Sequence, residues 1–458
     1  MSSLDASIVN VSLPTIAHYF RVDIGRVSAV ALSYLLCLSG TLLIFGRLGD
    51  EAGRRRVFLW GQALFLAASG LCGLVFDFPL LVAARALQGV GGAMLVVSAY
   101  ALIPDVVPPN LRGWGFGVVT TAAGLGVTLG APLGGLLTGL LSWRWIFEIN
   151  VPVGLMALAA TRRFLPPHPK ESEPVPWRAL LGRFDLLGAL LSFLFILTLL
   201  FALNRGREWG WGSPTILGIF GASALLFALF VRAERRHPNP LFVGALFRRR
   251  GFSFAILGTV PAYLFLGGNG FLLPFYLQEY RGYSAEVSGL FLMFNSICYM
   301  GASSLGGRAS DRLPPRYLCA AGMGLAAADC LTLAAGLDVP GPGMILGFLL
   351  ALALANGLFF SPSGNLVMGA AEPSLRGAAS AVFSVFSRVS LALGVCAFET
   401  LFSEFVPPGG GAAVMRAGFR AVYGAGALIC LAGGLFILGA REEPLEGAAE
   451  ELLTAPEA

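Results

Sequence analysis

Long apolar runs separated by short polar connections are the dominant pattern along this chain. Val27–Phe45 and Val57–Phe76 carry no charge, and each approaches the ~20 residues a helix needs to cross a bilayer. Between them lies Gly46–Arg56, GRLGDEAGRRR. This predicts a tight turn between two membrane helices. Gly46, Gly49 and Gly53 permit a sharp reversal, and Asp50 is placed to accept from the free N–H groups of the next helix. Arg54, Arg55 and Arg56 supply the positive charge of a cytoplasmic connection. Taken alone, these residues would serve equally in a plain Gly- and Arg-rich hairpin.

A weaker copy, GRASDRLPPR, runs from Gly307 to Arg316, again between apolar runs. Gly307 stands 261 residues after Gly46, and Asp311 the same distance after Asp50. Such spacing is expected of two halves that repeat each other. In the copy, Pro315 stands where the second glycine would be.

Counting runs divides the chain. Six fall in 1–164, two in a linker unit at 165–251 that opens Pro-rich, and six in 252–440, followed by a short acidic tail at 441–458 expected to be disordered. The fold class is an all-α polytopic membrane protein with fourteen spans, arranged as six, two and six. The first span reads as truncated: its polar residues begin at Leu4 and it ends near Phe20, so about a dozen apolar residues are expected upstream.

Composition agrees with the membrane reading. Of 458 residues 56% are hydrophobic and 12% charged, against about 25% charged in soluble domains. The net charge of +5 comes from arginines in loops and forms no aromatic-interleaved face, which argues against nucleic acid. The seven cysteines show no C-x-x-C pair and the three histidines fall at helix ends or in loops, so no metal or cofactor is implied. No H-E-x-x-H, G-x-S-x-G or Walker loop is present, so no catalytic residue is expected.

Several stretches carry a family resemblance. GRLGDEAGRRR resembles the turn between helices 2 and 3 of the major facilitator superfamily, and LVAARALQGVGGA, with Arg85 and Gln88, resembles its helix 4. LDASIVNVSLP, with Asp5 and Asn10, resembles helix 1 of the fourteen-helix drug:proton antiporters of the EmrB/QacA type. GLGVTLGAPLGG resembles the antiporter motif of helix 5, with Pro132 one residue later than the motif places its proline. Trp143–Pro152, Phe271–Gly289 and Gly377–Thr400 resemble further junctions and helix 13 of the same antiporters.

The resemblance implies proton-coupled export of amphipathic, in part cationic, drugs across the cytoplasmic membrane, or of a specific metabolite, siderophore or lipid-like compound. Its partners would be a small-molecule substrate, protons and the lipid bilayer, with a membrane-fusion adaptor in an organism that has an outer membrane. A proton-pumping respiratory subunit is the third reading, and the single lysine, in a loop, speaks against it.

Candidate site residues follow from burial costs. An acid or arginine at membrane depth is expensive and faces the bundle interior. Asp5 and Arg85 qualify, with Arg388, Glu399 and Asp329 in the second half. Each serves equally well as a paired structural residue, and Asp5 also as a helix cap. Arg388 and Glu399 lie three turns apart on one helix face. Gly126, Gly130 and Gly134 line one face of helix 5 for close packing. The resemblance makes Asp50 a conformational latch, with Arg54 or Arg112 as partner. Placing the first loop outside puts most of the 31 Lys plus Arg on the inner side, with both termini cytoplasmic.

Overall fold

The computed structural model describes residues 1–108, 112–165, 186–234, 244–310, 312–371, 376–407 and 410–440. The first half holds six long helices: α1 (Ser2–Phe20), α2 (Ile24–Ala52), α3 (Arg54–Leu74), α4 (Phe78–Ala101), α5 (Arg112–Leu140) and α6 (Asn150–Phe164). Next come α7 (Leu186–Trp209) and α8 (Pro214–Glu234). The second half holds α9 (Arg250–Phe275), α10 (Ala285–Ser310), α11 (Pro315–Ala335), α12 (Gly343–Gly369), α13 (Arg376–Phe405) and α14 (Ala412–Leu438). Among the described residues nine helices are long and apolar enough to cross a membrane. Much of the Pro-rich linker, the side chains of Asp50 and Arg112, the residue Asp311 and the acidic tail lie outside the described residues.

The repeat seen in the sequence recurs in the element bounds. His18 and Glu279, 261 residues apart, form a hydrogen-bonded pair of 2.7 Å at matching helix ends. The same offset carries the bounds of α3 onto those of α11, and the start of α2 onto the start of α10.

The polar stretch after Phe45 differs from expectation. It is not a loop: α2 continues through it to Ala52, and the reversal is confined to Gly53, at φ 99° and ψ 122°. Leu48, Glu51 and Ala52 are good helix formers, and the Gly53 N–H still donates to the Gly49 carbonyl at 3.2 Å. Asp50 therefore sits in the last turn of α2 and not ahead of α3.

The glycines of α5 form two packing stripes. A Cβ on Gly130 would lie 2.7 Å from Ser7 Cβ, and one on Gly134 2.6 Å from the Ile8 carbonyl, so this stripe receives α1; Gly126 faces Leu4 more loosely. Gly135 and Gly139 form an unforeseen second stripe facing α10. A Cβ on Gly135 would meet the Ala285 carbonyl at 2.5 Å, and Gly139 faces the Glu286 side chain. From α10, Gly289 packs back against Ala131 and Pro132.

By the repeat, the partner of this contact joins α2 to α13, where a Cβ on Gly25 would lie 2.8 Å from Glu399 Oε1. Gln278 Nε2 also donates to the Val11 carbonyl at 2.8 Å. These contacts, with the His18–Glu279 pair, hold the halves together at the end that carries the Phe20–Ile24 connection. Alongside, α7 touches both halves: Phe193 packs on Gly40 of α2, and Thr400 Oγ1 of α13 donates to the Leu203 carbonyl at 3.4 Å.

A valine at Gly135 meets backbone that cannot move aside. Gly135→Val is expected to loosen this end and lower the disulfide yield between His18→Cys and Glu279→Cys in a cysteine-free background. An unchanged yield would show that the α5–α10 contact does not hold the end closed.

Candidate functional site

Asp5 is fully buried on α1, one turn from the start of the helix. Three donors converge on its carboxylate. Arg85 Nη1 of α4 reaches Oδ2 at 2.6 Å, Gln88 Nε2 reaches Oδ1 at 2.9 Å, and Asn150 Nδ2 of α6 reaches Oδ1 at 3.0 Å. Arg85 and Gln88 lie one helical turn apart on α4, so both face α1.

Arg85 is 1% exposed and its donors are spread over neighbouring acceptors. Nε donates to the Val30 carbonyl at 3.2 Å and Nη1 also to Gln88 Oε1 at 2.6 Å. Its guanidinium carbon lies 4.4 Å from the centroid of the Tyr34 ring and 5.6 Å from that of Phe147. Cation–π contact of this kind strengthens in desolvated surroundings. Gln88 Nε2 also donates to Ser69 Oγ at 2.8 Å, tying in α3. Two opposite charges thus share one enclosed chamber in which every described partner is a hydrogen-bond donor, acceptor or ring face. A buried pair persists only when so well satisfied.

The structure therefore brings together Asp5, Arg85 and Gln88 and adds Asn150, which the sequence reading passed over. The available signal was an uncharged polar residue, Asn150, at the head of an otherwise apolar run. Asn10 does not join: its amide lies across from Gly270 of α9, 3.9 Å from where a Cβ would stand. Arg54 Nη1 donates to the Ala101 carbonyl at 2.8 Å and to Asp105 Oδ1 at 3.0 Å, so its described carboxylate partner is Asp105.

The second-half candidates are dispersed. Glu399 is 4% exposed and accepts from Ser403 Oγ at 2.9 Å beside Gly25. Asp329 is 5% exposed on α11, and its Oδ2 has no hydrogen-bond partner among the described residues. Arg388 stands near the middle of α13, partly exposed. No group of three or more His, Cys, Asp or Glu side chains suited to a metal occurs among the described residues.

The profile of the Major Facilitator Superfamily matches residues 1–231 and 206–395. The chain belongs to that superfamily. It is 34% identical to the puromycin resistance protein pur8 of Streptomyces alboniger over 406 residues, covering 87% of this chain and 78% of that one. To MdtD of Escherichia coli K12, named for multidrug resistance, it is 31% identical, covering 88% and 84%. To the riboflavin transporter RibZ of Clostridioides difficile strain 630 it is 26% identical, covering 88% and 86%. Among solved structures, an inward-facing, unoccupied bacterial homologue of the human lysosomal transporter Spinster aligns at a TM-score of 0.68 with 16% identity, covering 97% and 96%. A structure from the proton-dependent oligopeptide transporters aligns at 0.67 with 14% identity, covering 96% of both chains. These likenesses support the fold. The chain is a membrane transporter of small molecules with relatives named for drug resistance.

Proposed function

We propose that this transporter is a proton-coupled exporter of drug-like amphipathic compounds, with Asp5 as its proton site and with fourteen spans that place both termini in the cytoplasm. The observation that carries the coupling is the Asp5 chamber. Matched by their packing, the second-half counterparts of Asp5, Arg85 and Gln88 are the apolar Phe265, Leu349 and Leu352, so those positions of the second half form no equivalent chamber. A scaffold built twice needs its halves to be alike. A charged pair built once serves something other than scaffolding.

Helix α1 links that chamber to the contact between halves. Asp5 and His18 lie on one rigid helix, about 20 Å apart at 1.5 Å per residue. In the present conformation Asp5 is paired with Arg85, while His18 and Val11 hold Glu279 and Gln278 of the second half. With the Phe20–Ile24 end outside, this is the form closed to the exterior. Rocking the halves apart there pulls on α1, loosens Asp5 from Arg85 and hydrates the carboxylate, which then takes a proton from outside. Return to the present form re-pairs Asp5 with Arg85 and expels that proton inward. Because Asp5 is fully enclosed here, coupling to a substrate runs through conformation and not through direct competition for the carboxylate.

Drug export is favoured over metabolite export by the 34% and 31% identities to resistance proteins, against 26% to RibZ. A susceptibility panel spanning anionic, neutral and cationic amphipathic antibiotics, on cells with and without the protein, tests the export. Inside-out vesicles test the coupling: accumulation of any protected compound should stop when the pH gradient is collapsed. Accumulation indifferent to the gradient would overturn the proton reading.

A further inference from the structure

The repeat also isolates a residue on the other side of the interface. The packing of α5 on α1 is repeated by α13 on α9 with Gly130 and Gly394 as counterparts, so Arg388 of α13 corresponds to Gly124 of α5, and the second half carries a cation where the first carries no side chain. No described residue gives Arg388 an ion pair or a hydrogen bond, in contrast to Arg85 with its full set of partners. An arginine held at the middle of a membrane helix without a counter-ion is costly, and such residues mark ligand pathways.

Its surroundings say which way it faces. Glu399 of α13 abuts Gly25 near the start of α2, and the two helices run antiparallel from there. Arg388 shares the Glu399 face of α13, and equal rise along both helices brings it level with Leu36, within a turn of Tyr34. Arg388 therefore points between the halves and not toward lipid. Tyr34 has the Arg85 guanidinium over its ring and its hydroxyl 2.7 Å from Ser2 Oγ, so it forms the wall between the Asp5 chamber and Arg388. On the Arg388 side, Tyr263 of α9, the helix packed along α13, meets Phe360 and Phe383 edge-on at 4.9 and 6.0 Å. These three rings are all partly exposed.

The charges at this level do not cancel. Asp5 and Arg85 neutralise each other. Glu399 lies three turns away, about 16 Å along the helix. Asp329 is buried on α11, whose main neighbours are α12 and α14. Among the described residues at this level, the cation without a counter-ion is Arg388, on the helix that carries Phe383 of the Tyr263–Phe360–Phe383 ring cluster.

We propose that Arg388 binds an acidic group of the exported compound, a carboxylate, sulfonate or phosphate, while the aromatic body of that compound packs on Tyr263, Phe360 and Phe383. The guanidinium fork suits a planar two-oxygen acceptor, and ring-on-ring contact supplies affinity with little demand on substrate shape. This deepens the exporter reading and rests on it for the word exported, though the site itself does not depend on proton coupling.

The test uses three probes with one aromatic body: 1-naphthaleneacetate, its amide, and 1-naphthylmethylammonium, carrying one negative, no and one positive charge. Binding is measured by calorimetry on the full-length purified protein in detergent. The wild type should bind the anion about tenfold or more tighter than the amide, and the cation weakest. Arg388→Gln should erase that order by weakening the anion alone, Arg388→Lys should restore part of it, and neither should lower the thermal midpoint, since no partner is lost. Binding that ignores charge, a preference for the cation, equal weakening of all three probes by Arg388→Gln, or unfolding of that variant would each overturn the proposal. Charge-ordered binding in a protein that exports none of the panel compounds would leave the site standing and remove the exporter reading.

Discussion

Asp5→Asn is expected to abolish proton-driven efflux in vesicles while leaving downhill exchange of substrate, and to destabilise the protein by about 3–5 kcal/mol, the usual cost of breaking a buried pair from one side. The stability loss arises because Arg85 cannot discard its charge. It would stay at 1% exposure with the Val30 carbonyl, Gln88 Oε1 and two ring faces, none of which is an anion. Pairing Asp5→Asn with Arg85→Gln removes both charges, so most of the lost stability should return in a thermal melt in detergent. Coupling should not return with it, because no group in the chamber is then left to carry a proton. A double variant as unstable as the single one would mean that shape and not charge holds the chamber. Wild-type coupling in Asp5→Asn would shift the proton role to Glu399 or Asp329.

The class of fold and the repeat were legible in the sequence for a simple reason: bilayer thickness fixes helix length, and a duplicated chain repeats its punctuation. Asp5, Arg85 and Gln88 were legible because each interrupts an apolar run, and burial of such a residue demands a partner. Asn150 was not, since an uncharged amide at a helix start fits a bilayer interface as readily as a chamber. Gly135 and Gly139 were hidden by Gly126, Gly130 and Gly134: two stripes on one helix share a glycine-rich sequence, and only the positions of α1 and α10 separate them. Likewise Arg388 and Arg85 read alike as isolated arginines. Which of the two has a counter-ion depends on helices far apart in the chain.

The stretch Gly46–Arg56 shows where pattern misleads. Three glycines around polar residues predict a loop, yet only one of them is used as a turn. At Gly53 the backbone takes φ 99° and ψ 122°, a conformation that side-chain-bearing residues avoid. Gly53→Ala is therefore expected to cost about 1–3 kcal/mol and to displace Arg54 from the Ala101 carbonyl and Asp105. Gly46 and Gly49 lie inside α2 with room to spare: a Cβ would meet Val97 Cγ1 at 3.5 Å and Arg54 Cγ at 3.6 Å, both ordinary contacts. Alanine at either should stabilise this conformation by about 0.5–1 kcal/mol, the helix-interior preference for alanine over glycine. Thermal melts of the three variants thus have opposite signs within one motif. Transport adds the decisive reading. If Gly46→Ala or Gly49→Ala raises the melting point but stops transport, those glycines serve the opposite conformation, in which α2 and its neighbours come closer than they do here. If all three variants lose stability together, α2 does not continue through the motif and the reversal is shared among its glycines.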